Sequence, residues 1–111
     1  MAVELLRHQR DAEAVELLSR LLRDPVDTAP VQAAAEMLVH EGDETAWDLV
    51  FAAFGDEPED DEHLSMFIGY GSPEYTARIL SAARARTAPA VDPSVRRGAF
   101  EFIEWMTPPK S

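Results

Sequence analysis

Apolar residues recur along this chain at the three- and four-residue spacing of a helix buried on one face, and no segment keeps the two-residue alternation of a strand. Gly, Pro and capping residues divide the pattern into about seven helical segments. The first covers residues 2–9. Asp11 is an N-cap for 12–23, where Val15, Leu18, Leu21 and Leu22 share a face, and Asp24-Pro25 ends the segment. Thr28 caps the next helix, with Pro30 in its first turn, and Gly42 stops it. Its buried stripe is Val31, Ala34, Ala35 and Leu38, and Gln32, Glu36 and His40 lie opposite.

Asp43 caps 44–54, with Trp47, Val50, Phe51 and Phe54 inward. After a loop around Pro58, residues 62–69 carry Leu64, Phe67 and Ile68, and Gly69-Tyr70-Gly71 breaks the helix. Ser72-Pro73 opens 73–86, whose inward face is Tyr75, Ile79, Leu80 and Ala83. Asp92-Pro93 opens the last helix, with Val95, Ala99, Phe102, Ile103 and Met106 on one face. Phe100 and Trp105 fall toward opposite edges of that stripe.

The segments repeat. The caps Asp11, Asp43 and Ser72 are 32 and 29 residues apart, and Val31, His63 and Val95 are spaced by 32 and 32. Two helix types therefore alternate with a period near 30, as in stacked helical hairpins that bury their apolar faces on one another. The turn Asp92-Pro93-Ser94-Val95-Arg96 leading into Ala99, and Asp24-Pro25 with Val31, Ala34-Ala35 and Leu38, resembles the HEAT-repeat family. That resemblance implies a curved α-solenoid and protein binding as the function. The expected fold is all-α, a short right-handed solenoid of about three antiparallel helix pairs, with an irregular helical bundle as the alternative. The expected organisation is one helical-repeat domain over 1–107 and a polar tail over 108–111.

Charge adds the feature that bears on function. The net charge is −11, from 21 acidic and 10 basic side chains. Residues 24–77 hold fourteen acids and neither Lys nor Arg, and the segments on either side hold every base. A negative field of this extent disfavours nucleic-acid phosphates and anionic membranes and suits a basic protein. With 111 residues, no cysteine and no apolar run near ~20 residues, disulfides, thiol catalysis and a membrane span are excluded, and a cytoplasmic protein is expected.

Catalytic signals are weak. His8, His40 and His63 are not in paired metal spacing, and no nucleophile elbow is present. The run Asp56-Glu57-Pro58-Glu59-Asp60-Asp61-Glu62 lacks the alternating spacing and the glycine of a calcium loop, so neither metal nor cofactor is expected. The reading is a binding module, not an enzyme, with a basic protein as its partner. The concrete version is an immunity or inhibitor protein that covers a nucleic-acid-acting enzyme. A DNA-mimic regulator and a self-associating structural protein are the alternatives. The expected contacts are Glu36, Asp43, Glu44, Asp48, Asp56, Glu59, Asp60, Asp61 and Glu62, with Trp47 either an anchor rimmed by carboxylates or a core residue. The basic cluster Arg78, Arg84, Arg86, Arg96 and Arg97 either caps the acidic middle within the fold or meets that of a second copy.

Overall fold

A computed structural model describes residues 11–23, 28–56 and 73–106. The described residues form five helices: α1 (Ala12–Leu22), α2 (Thr28–Glu41), α3 (Glu44–Gly55), α4 (Pro73–Ala85) and α5 (Pro93–Met106). The expected helices over 2–9 and 62–69 and the loop from 57 lie outside them.

Local chemistry explains where most of these helices start and stop. Asp11 has extended backbone, and its Oδ1 accepts from the Ala14 N–H at 2.8 Å, satisfying one of the orphan donors of the first turn. Asp92 does the same for Ser94 at 2.9 Å, ahead of Pro93, whose missing N–H costs nothing in a first turn. Asp43 has the backbone of an N-cap, and its carbonyl accepts from the Trp47 N–H at 3.1 Å, but its carboxylate makes no capping bond. α2 begins at Thr28 itself, one position earlier than a Thr28 cap would start it. It ends at Gly42, whose N–H returns to the Leu38 carbonyl at 2.9 Å and whose φ of +63° turns the chain out of the helix.

Packing is organised around α3, which touches α1, α2, α4 and, most extensively, α5. Its sequence suggests one inward stripe, but Ala46, Leu49 and Ala53 are buried as well as Trp47, Val50, Phe51 and Phe54. A helix enclosed by neighbours on several sides is apolar nearly all round. The wider burial of α2 has the same cause, since Met37 and Val39 join the expected Val31, Ala34, Ala35 and Leu38 in the core.

Two glycines set the approach of α3 to α5. A methyl group on Gly98 would stand 1.8 Å from the Phe51 carbonyl oxygen, and one on Gly55 would stand 3.1 Å from Gly98. The backbones therefore nearly touch, and the flanking rings interlock. Phe102 meets Phe51 and Phe54 edge-on, with ring centroids 6.1 and 5.7 Å apart. The radius of gyration is 13.2 Å, about the value expected for a compact domain of this length. The helical bundle named as the alternative fold accommodates these features.

Candidate protein-docking surface

The acidic middle and the arginines outside it meet within the fold. Arg86, just past α4, is only 5% exposed. Its Nε donates to Asp48 at 3.0 Å, and one terminal nitrogen donates to the Glu44 carboxylate at 3.2 Å and the Glu44 carbonyl at 3.3 Å. Its other terminal nitrogen reaches the Ala82 carbonyl at 3.3 Å. A buried guanidinium needs partners of this kind, because desolvation costs several kcal/mol per ion. Glu44 and Asp48 lie one turn apart on α3, so one arginine side chain reaches both.

Asp56, the C-cap of α3, is held in a second cluster. It accepts from Arg23 at 2.9 Å and from Arg97, which ties the end of α1 and the start of α5 to the end of α3. Arg78 makes a third link. It donates to the His40 carbonyl at 2.8 Å, putting a cation against the C-terminal end of α2, where the helix dipole is negative. Of the two readings of the basic cluster, internal capping describes Arg78, Arg86 and Arg97. Arg96 instead donates to the Pro89 carbonyl at 3.2 Å, and Arg84 is exposed.

The expected contact residues are thus placed differently from one another. Glu44, Asp48 and Asp56 are partners of arginines from the flanking segments. Glu36 is exposed on α2 and accepts from Gln32 at 3.1 Å. Its negative charge also acts on Tyr75 of α4: burial first, and Glu36 second, push the Tyr75 phenol up to about 12. Asp43 is partly exposed at the start of α3. Trp47 is a core residue, 6% exposed and stacked on Phe51 with ring centroids 6.1 Å apart, so its surface is not open to a partner. Glu59, Asp60, Asp61 and Glu62 lie outside the described residues.

A cleft of about 330 Å³ opens beside the Arg86 cluster. Glu44, Asp48 and Asp92 supply its carboxylates, Arg86 its cation, and Val91 and Val95 part of its apolar wall. The cation is already neutralised by the first two acids, so this is an ion cluster that joins α3 to the α4–α5 turn. Among the described residues no group of three or more His, Asp or Glu side chains is placed to hold a metal ion. No helix among them is long and apolar enough to cross a membrane.

The exposed aromatics are elsewhere. Phe100 is 49% and Trp105 39% exposed, both on α5. Trp105 rests on Phe54 and Phe102, with ring centroids 5.7 and 6.1 Å away. The hydrophobic pattern put both residues at the edges of the apolar stripe. Glu101 and Glu104, which were not among the expected contacts, lie exposed between them on the same face of α5. A scan against protein-family models and searches of curated proteins and of solved structures return no match.

Proposed function

We propose that this protein is an acidic interaction module that binds a basic partner protein. The observation that carries the reading is the charge distribution: a net −11, with fourteen acids and no base between residues 24 and 77. Arginines 23, 86 and 97 offset Glu44, Asp48 and Asp56 locally, and the surplus of the chain remains. A cationic surface is its complement, and association driven this way is fast and sensitive to salt. An immunity or inhibitor protein that covers the phosphate-binding surface of a nucleic-acid-acting enzyme is the concrete form of the proposal.

The HEAT-like solenoid belongs to the same reading. Support comes from the spacing near 30 residues and from the contacts of α1 with α2 and α4 with α5, consecutive helices packed as the hairpins of a repeat are.

The test is capture from a lysate of the source organism at low salt and at ~0.5 M salt, where exposed charge attraction is largely screened. The wild-type chain is compared with a variant reversing Asp60, Asp61 and Glu62. The expected result is one strongly basic protein, retained at low salt, weakened at high salt and weakened by the reversal. A partner indifferent to both salt and charge reversal refutes the electrostatic reading.

A further inference from the structure

We infer that the outward face of α5 is the recognition surface for an arginine-bearing segment of the basic partner, an inference that rests on the reading just given. At about 100° per residue, Trp105, Glu101, Arg97, Glu104 and Phe100 follow one another around an arc of about 140°. Two half-exposed aromatic rings therefore flank two exposed carboxylates, and Arg97 is held by Asp56. Each part matches a guanidinium. Its plane stacks on an aromatic face, and its fork of N–H donors meets a carboxylate with two bonds. The ammonium of lysine satisfies the charge but not the stacking.

The rings are also prepared for contact. Trp105 is backed by Phe54 and Phe102, and those rings are fixed where Gly55 and Gly98 draw α3 and α5 together. A partner then meets an aromatic platform already supported from beneath, at a low cost in ordering it. Charge decides between a basic partner and a second copy. In a two-fold dimer the same face of α5 meets itself, and two chains of −11 each repel, whereas a cationic partner is attracted to this face.

The probe is an oligo-arginine peptide, titrated at low salt into the isotope-labelled full chain, with an oligo-lysine peptide of equal length for comparison. Amide shifts are expected to concentrate at residues 97–105, with arginine binding at least about three-fold tighter than lysine. Phe100→Ser, and separately Glu101→Gln with Glu104→Gln, are expected to weaken binding by roughly ten-fold. Because these side chains are exposed, the melting curve should stay where it is. Shifts centred on residues 56–62, with equal affinity for the two peptides, overturn the α5 surface and leave the basic-partner reading standing. Shifts at 97–105 that depend on protein concentration without peptide overturn it in favour of a second copy. The absence of binding by either peptide overturns both readings.

Discussion

Replacing Gly98 by alanine tests the packing that the rest of the fold depends on. The added methyl carbon would lie 1.8 Å from the Phe51 carbonyl oxygen and 2.6 Å from its carbonyl carbon. Side-chain carbons essentially never come closer than 3.0 Å to such atoms, so α3 and α5 must separate by about 1.2 Å. No rotamer change relieves the clash, because both sides are backbone. A gap of ~1 Å forfeits up to roughly half of each dispersion contact it opens, and the contacts at stake include the Phe51, Phe54 and Phe102 rings.

Overpacking of this kind costs about 3 kcal/mol, at the upper end of the usual range. Alanine returns about 1 kcal/mol, because it favours the helix interior more than glycine does. The net loss is about 2 kcal/mol. With a urea dependence of ~2 kcal/mol per molar, the unfolding midpoint falls by about 1 M at unchanged slope. Gly55→Ala is the control, since its methyl would meet Gly98 at 3.1 Å and Arg97 at 3.4 Å, contacts that a shift of a few tenths of an ångström relieves. It should cost less than about 1 kcal/mol. A Gly98→Ala midpoint equal to or above wild type would refute the close-approach argument, because helix propensity would then be the larger effect.

Further outcomes follow from the ion clusters and the buried phenol. Asp48→Ala should destabilise the protein by about 2 kcal/mol, because it leaves the Nε donor of a buried guanidinium without its carboxylate. Glu44→Ala should cost less, since its carboxylate is almost fully exposed and its backbone carbonyl still accepts from Arg86; equal losses in urea melts would contradict this ranking. Asp56→Asn keeps the side chain's shape but weakens both arginine contacts, and a loss of no more than about 1 kcal/mol is expected because all three groups are partly exposed. That loss should shrink in high salt. Tyr75 ionises near 10.0 in the unfolded chain and at about 12 in the fold, so its contribution is complete below pH 10.0 and declines as pH rises toward 12. The difference in stability between wild type and Tyr75→Phe should therefore change over that interval and be flat below it. A constant difference across it would mean that the phenol is not held neutral by its surroundings.

Several features were legible in the sequence because their causes are local. The caps at Asp11 and Asp92 act on N–H groups within three residues, and the Val31, Ala34, Ala35 and Leu38 stripe is a matter of helical period. The edge positions of Phe100 and Trp105 are readable in the same way. The tertiary structure decided whatever depends on which helices lie side by side. Asp56 reads as one acid in an acidic run, yet its partners are 33 and 41 residues away in the chain. Arg86 reads as one of several surface bases, and only the approach of α4 to α3 buries it between Glu44 and Asp48. Trp47 has the acidic neighbours of an exposed anchor, but α3 is surrounded on enough sides to take the ring into the core. Gly98 resembles any helical glycine until Phe51 is placed against it. Period, caps and net charge are properties of neighbours along the chain, whereas burial, ion pairing and close backbone approach are properties of neighbours across it, and these exist only once the helices have packed.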